Sequence, residues 1–450
     1  MNTPICDFVR KYADSGTLRL HMPGHKGAGG HNELLDITEI SGADSLYEAD
    51  GIICESECNA GALFGAHTFY STEGSSLCIR AMLYLVCIYA AEKGEKPLIA
   101  AGRNAHKTFV SAAALLDFDV DWLFPADASY LSCPIGAEYV RNYLDSCEKT
   151  PTALYLTSPD YLGNTVDVAE ISEVCRERGV LLLVDNAHGA YLKFLPESRH
   201  PIDLGADMCC DSAHKTLPAL TGAAYLHISP LCSDKFRQLA TQNARHALSL
   251  FGSTSPSYLI LASLDRTNAM LSDGYRESVA ELIKNIDELK LRLASLGYLL
   301  VGDEPLKLTI APKSYGYTGY ELAEHLRKNG IEPEFCDPDY LVLMFTPSLD
   351  SCATDKIYDV LSKLDRFDAF DFAPLPACSL PERAMSIRAA VLSPCEELKV
   401  CDCEGRVAAA VTVGCPPAVP IIVSGEVMDK NTIQTFKYYG ITKCSVVKNL

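Results

Sequence analysis

The chain has 450 residues, of which 48% are hydrophobic and 22% charged, with a formal net charge of −19 and an isoelectric point near 5.0. This length exceeds the usual single-domain range, so one large domain and one or two smaller ones are expected. The acidic balance repels polyphosphate and anionic lipid, which argues against nucleic acid or a membrane as partner and is compatible with a cationic small substrate.

Nineteen cysteines are scattered along the chain, the closest groupings being Cys209-Cys210 and Cys401-Asp402-Cys403. No CxxC pair recurs at zinc-finger spacing, so no structural metal is expected. The first residues, MNTPICDFVRKYADSG, contain no apolar core of signal-peptide length. Many thiols without a secretion signal point to a reducing cytoplasm, with most cysteines acting as small core residues. The longest apolar run, AMLYLVCIYAA at 81–91, is too short to span a bilayer.

In chain order, residues 1–35 read as loop-rich, because HMPGHKGAGG concentrates glycine and proline. From about 75 to 275, helix-like and strand-like segments alternate. GSSLCIRAMLYLVCIYAAEKG predicts a helix ending near Gly94, and RNAHKTF reads as a loop after the strand PLIAAG. PLIAAG, TALYLT and VLLLVD are short apolar runs of the kind buried in a parallel sheet, with helical patterns such as VAEISEVCRERG between them. An apolar turn, ADMCC, leads into Asp211. The alternation predicts an α/β sheet with helices on both faces.

After Gly274, ESVAELIKNIDELKLRLASLG reads as a long charged helix. Strand candidates LKLTIAP and YLVLMFT follow, each leading to a helical pattern, which makes a second, smaller α/β unit. A Pro-rich connector, FAPLPACSLPERA, opens a last segment containing GCPPAVPIIVSGE. The expected divisions are an N-terminal arm (1–35), a large domain (36–275), a small α/β domain (276–371) and a C-terminal segment (372–450).

Four stretches carry chemistry, and each also has a plain structural reading. TEGSS opens the first long helix; Gly74, Ser75 and Ser76 offer free backbone N–H groups, hydroxyls and the positive end of the helix dipole, which suits a phosphate. The same serines can simply cap the helix. VLLLVD delivers Asp185 to a strand's carboxyl end, where α/β sheets bind ligands, with His188 following. An acid there holds a metal, a ribose hydroxyl or a protonated ring nitrogen, or only caps a turn. DSAHKTLPALTG brings Asp211, Ser212, His214 and Lys215 together. A desolvated lysine is a nucleophile toward carbonyls, and a snorkelling lysine at a strand edge is the alternative. RNAHKTF places His106 where it can stack on a flat ring, act as an acid or base, or do neither.

Together these parts resemble the ordered constellation of a pyridoxal-phosphate (PLP) enzyme with the aspartate-aminotransferase fold. The wording LHMPGHKGAG, TEGSS, RNAHKTF, VDNAHGAYLKF, DSAHKTLPALTGAAYLH, STSPSYLILASLD and CPPAVPIIVSGE resembles the Orn/Lys/Arg decarboxylase family in its short form, over nearly the whole chain. The resemblance implies a large PLP-binding domain with a mostly parallel sheet flanked by helices, a smaller α/β domain and a C-terminal decarboxylase-type segment. It also implies that no receiver-like domain precedes HMPGHKG at residues 21–27.

Residue by residue, the resemblance implies that Lys215 forms the Schiff base with PLP and that Asp185 pairs with the pyridinium nitrogen. His106 would stack on one ring face and Ala187 touch the other, beside His188. Gly74, Ser75, Ser76 and Ser212 would hold the phosphate, and His214 would assist with phosphate or substrate. Ser253 and Ser255 would reach the phosphate of a neighbouring subunit, implying a homodimer with shared active sites. The chain departs from the family at Asn186 (glutamate in the family's Asp-Glu-Ala-His), at Cys415 and Ala418 (tyrosine and glycine) and at Glu73 (often asparagine).

The implied reaction is decarboxylation of a basic amino acid (arginine, lysine or ornithine) to the amine and CO2. Two alternatives stay open on residues alone. One is another reaction on the same cofactor, by an aminotransferase or aldolase-type lyase, although Arg276, Arg292, Arg327 and Arg366 match no carboxylate clamp. The other is a PLP-binding protein without catalysis.

Overall fold

The apolar runs separated by helical patterns become seven short strands of one mostly parallel sheet: β1 (His67–Ser71), β2 (Leu98–Gly102), β3 (Asp119–Leu123), β4 (Ala153–Thr157), β5 (Leu181–Asp185), β6 (Met208–Asp211) and β7 (Ala224–Ile228). A computed structural model describes residues 1–350, 352–368, 376, 379–411 and 417–448. The chain forms two compact units. The first holds Met1–Pro97, Tyr143–Ser158 and Asp167–Val279; the second holds Leu98–Asn142, Pro159–Val166 and Ala280–Leu450.

In the first unit the strand order is β1-β7-β6-β5-β4. Strands β4, β5 and β6 run parallel, while β7 is antiparallel to β6 and β1 is antiparallel to β7. All five residues of β5 are buried, as a strand covered on both faces requires. The helix Ser75–Ala91 starts after Gly74, whose φ of 73° is open to glycine at little cost, and it packs on β6 and β7.

Two sequence expectations are corrected here. ADMCC is no turn: Met208–Asp211 is the buried strand β6, because its apolar residues lie between β5 and β7. Nor is the N-terminal arm all loop. Pro4–Asp14 is a helix with proline in its first turn and Ile5, Cys6 and Val9 buried. Its orphan N–H groups at Ile5 and Cys6 both donate to Asp265 Oδ2 at 3.0 Å, a cap 260 residues away that local reading does not see.

In the second unit β2 and β3 pair in parallel. A four-stranded antiparallel sheet has the order β10-β11-β9-β8, from β8 (Leu299–Val301), β9 (Lys307–Ala311), β10 (Phe335–Cys336) and β11 (Leu341–Met344). A two-stranded ribbon joins β12 (Cys395–Lys399) to β13 (Lys443–Val447). Around it Val400, Ala408, Ile422, Met428, Phe436 and Val446 form a core.

Arg103 ties two distant motifs together inside this unit. Its guanidinium reaches Glu426 Oε2 at 2.9 Å and the carbonyls of Pro420 and Ile421, with both charged side chains 5% exposed. The Lys107 N–H donates to Ala418 O at 2.8 Å. Ala418 itself sits at φ 57°, the left-handed region where a side chain is strained, which explains why the family resemblance expects glycine there. Cys415 and residues 372–375, 377 and 378 of the Pro-rich connector lie outside the described residues.

Nine of the seventeen described cysteines are buried and all seventeen are free thiols, in keeping with small core residues. Among the described residues no helix is long and apolar enough to cross a membrane.

Candidate active site

Strand β5 ends on Asp185, 3% exposed, at the carboxyl edge of the parallel strands. Its Oδ1 accepts from the Ala187 N–H at 3.2 Å and from the Cys210 thiol at 3.7 Å; its Oδ2 accepts from the Tyr155 hydroxyl at 3.1 Å. Burial pushes this carboxyl above the ordinary carboxylate range, and the charge of Lys215 and the three donors pull it back. Ala187 and His188, in the loop beyond, are 8% and 5% exposed.

Strand β6 runs beside β5 and ends in Asp211; Ser212 then precedes the single turn Ala213–Thr216, which carries His214 and Lys215. Lys215 is half-buried, and its Nζ lies 3.0 Å from His188 Nε2. His214 Nδ1 donates to Ala223 O at 3.0 Å, which holds the ring in place. The Ser212 hydroxyl donates to Ser75 Oγ at 2.7 Å, joining this turn to the N-terminus of the helix Ser75–Ala91. A Cβ on Gly74 would come 4.0 Å from His214 Cε1, so the backbone there stays open to a ligand.

Asp185, Ala187, His188, Ser212, His214, Lys215, Gly74, Ser75 and Ser76 thus all belong to the first unit. Ser253 and Ser255 are exposed in the same unit; the Ser253 N–H donates to Glu73 Oε1 at 2.5 Å, which accounts for the acid in TEGSS. His106 belongs to the second unit, where it caps the helix Lys107–Leu116 through Nδ1, which accepts from the Thr108 N–H at 3.2 Å. Lys107 is therefore helical, a correction to the loop expected over RNAHKTF.

Four contributors escaped the sequence reading: Tyr155, Cys210, His200 and His227. Asp211 Oδ2 accepts from His200 Nε2 at 3.0 Å and His227 Nε2 at 3.2 Å, and its Oδ1 accepts from Asn186 Nδ2 at 2.7 Å. All four residues are fully buried. Burial alone would raise the Asp211 carboxyl, but the two imidazoles hold it well below the ordinary range. Burial in turn lowers His227. His200, Cys209 and Asp211 bring three metal-capable atoms within 4.8 Å of one another, and hydrogen bonds already use the histidine and the aspartate. A polar residue in an otherwise apolar strand, such as His227 in AYLHI, was the available signal.

The donor set fits PLP: an open helix N-terminus with serine hydroxyls for a phosphate, a half-buried amine for an aldehyde, and a buried carboxylate for a ring nitrogen. Fold and site therefore define a fold-type-I PLP enzyme. The Orn/Lys/Arg decarboxylase major-domain description matches residues 3–303, and that family's C-terminal domain matches 370–445. The chain is 29% identical to an arginine decarboxylase of Bacillus subtilis (strain 168) over 470 residues, covering 96% of this chain and 92% of that one. It is 30% identical, with the same coverages, to an arginine decarboxylase of Halalkalibacterium halodurans. The Francisella novicida lysine decarboxylase LdcF superposes with a TM-score of 0.81 at 18% identity, over 99% of this chain and 81% of that one. The chain belongs to the Orn/Lys/Arg decarboxylase family and is a PLP-dependent amino-acid decarboxylase acting on basic amino acids.

Proposed function

We propose that the substrate is arginine and the products agmatine and CO2. Coverage carries this reading. Relatives named arginine decarboxylase align along 92% of their own length, whereas one named lysine decarboxylase, from Pseudomonas aeruginosa, aligns along 37% of its length and 56% of this chain.

When bound, PLP supplies the electron sink that accepts the pair left on Cα as CO2 departs. Lys215 would hold the cofactor through its amine. His188 Nε2, 3.0 Å from Lys215 Nζ, takes a proton from that ammonium or returns it. Lys215 Nζ then carries the proton that Cα takes up, which balances the CO2 lost. Asp185 favours a proton on the ring nitrogen, and its donors Tyr155, Cys210 and the Ala187 N–H keep the carboxylate aimed. Gly74, Ser75, Ser76 and Ser212 would hold the phosphate, Ala187 would touch the ring, and His214 would orient the phosphate or the substrate.

The enzyme would work in the cytoplasm as a homodimer, with Ser253 and Ser255 reaching the neighbouring site, and with the four divisions of the sequence as its domains. Purified protein given arginine, lysine or ornithine is assayed for CO2 and amine. Release of CO2 fastest from arginine is expected; none from arginine while another of the three reacts overturns the substrate.

A further inference from the structure

The first unit contains a cavity that no step above uses. It has a volume of about 250 Å³ and lies where the helices Pro4–Asp14, His31–Leu35 and Tyr258–Leu271 pack together. Val9, Leu35 and Leu259 give it apolar walls, while Arg10, Asn32, Ser263 and Arg266 bring hydrogen-bond donors to it. Among the described residues, no aspartate or glutamate lines it.

These donors are unspent. Among the described residues, the side chains of Arg10, Asn32 and Arg266 make no hydrogen bond or ion pair. Ser263 is 3% exposed; its Oγ accepts from the Leu220 N–H at 2.9 Å, and its own hydrogen goes to no acceptor among the described residues. A buried hydroxyl that accepts without donating has bonding capacity left for a ligand oxygen. Asp265, the residue before Arg266, does not answer the two charges. Its carboxylate is buried and takes the N–H groups of Ile5 and Cys6 at 3.0 Å each and the Ser56 hydroxyl at 2.6 Å. Burial and Asp265 push the Cys6 thiol up to about 12, while Arg10 and Arg266 both pull it down, so both guanidinium groups stand close to this wall of the cavity. Two like charges thus meet at one cavity with no counter-charge on its walls, in a chain whose net charge is −19.

We propose that this cavity binds a phosphate dianion, held by Arg10 and Arg266 and completed by the Asn32 amide and the Ser263 hydroxyl. A guanidinium presents paired N–H groups that match two oxygens of one phosphate, and a dianion answers both arginine charges where a carboxylate answers one. The phosphate has two sources: inorganic phosphate, or a small monoester whose carbon chain lies against Val9, Leu35 and Leu259. None of these residues belongs to the cradle at Gly74, Ser75, Ser76 and Ser212, so the site is additional to that of the cofactor.

Inorganic phosphate, butyl phosphate and acetate are titrated calorimetrically into the PLP-loaded enzyme, whose cofactor cradle is then already filled. The buffer is free of phosphate and held at about pH 8, above the second phosphate pKa. The same titrations are run on Arg10→Gln/Arg266→Gln and on Lys284→Gln/Lys363→Gln, which removes equal charge from the second unit. A thermal melt checks each fold, and the single variants Arg10→Gln and Arg266→Gln replace the double variant if it melts early. A Kd weaker by roughly tenfold or more is expected for the arginine variant, with the lysine variant within about twofold of wild type. Tighter binding of butyl phosphate assigns the site to a monoester, and equal binding of the two assigns it to free phosphate. Failure of both phosphates to bind the wild type overturns the site, as does equal weakening in the arginine and lysine variants. Acetate binding as tightly as phosphate overturns the dianion. None of these results depends on which amino acid is decarboxylated.

Discussion

Asn186 Nδ2 donates to Asp211 Oδ1 at 2.7 Å, so the amide in the family's acidic slot faces a carboxylate carried by the next strand. The amide at Asn186 thus has a buried acceptor at the end of β6. There His200 and His227 donate to it, and Asn186, at the start of the loop bearing Ala187 and His188, joins the same network.

Replacing Asp211 with asparagine should therefore destabilise the protein by about 3–5 kcal/mol at pH 7, because two buried imidazoles lose their common acceptor. The folded Asp211 carboxyl is depressed, so its contribution is complete above the unfolded value of about 4 and fades as the pH falls below it. His227 is depressed by burial, so protonation of the unfolded chain below about pH 6.5 adds acid lability. Urea unfolding at several pH values checks this. A gap between the two proteins that stays constant below pH 4 (about the unfolded carboxyl value) contradicts it.

Lys215→Ala should lower turnover at least about 10³-fold and remove the visible band of the lysine-bound cofactor. Absorption spectroscopy after adding PLP reads the second effect. After sodium borohydride the variant should release all of its cofactor on dialysis, and a covalently trapped cofactor would refute the assignment of Lys215.

Tyr155→Phe removes one of the donors that hold the Asp185 carboxyl down. Its pKa then rises, so the acidic limb of the kcat profile should move to higher pH, with kcat at neutral pH falling roughly tenfold. A limb at the wild-type position would mean that Tyr155 does not act through Asp185.

Glu426→Gln leaves Arg103 buried without its counter-charge and should cost about 3–5 kcal/mol, read as a lower Tm by circular dichroism. A shift of less than about 1 °C would show that the carbonyls of Pro420 and Ile421 suffice for the guanidinium.

Much of the fold was legible because the cues are local. Five-residue apolar runs become β2, β4 and β5, and the Gly-Ser-Ser start of the first long helix sits where the chain places it. Partners far apart in sequence were not legible. The loop-rich reading holds at HMPGHKGAGG, but the helix at Pro4–Asp14 is capped by Asp265, an acceptor too far away in sequence for local cues to reveal. Tyr155 and Cys210 reach Asp185 only because β4, β5 and β6 lie side by side, an order that no periodicity encodes.

The sequence by itself determined the class of chemistry, since Lys215, Asp185 and the serines of TEGSS are residue types the cofactor demands in an order the chain displays. Tertiary structure alone decided what tunes and supports them. Hydrogen bonds and burial depend on which strands become neighbours, and that juxtaposition set His188 on Lys215, Tyr155 on Asp185 and Asp211 beneath Asn186.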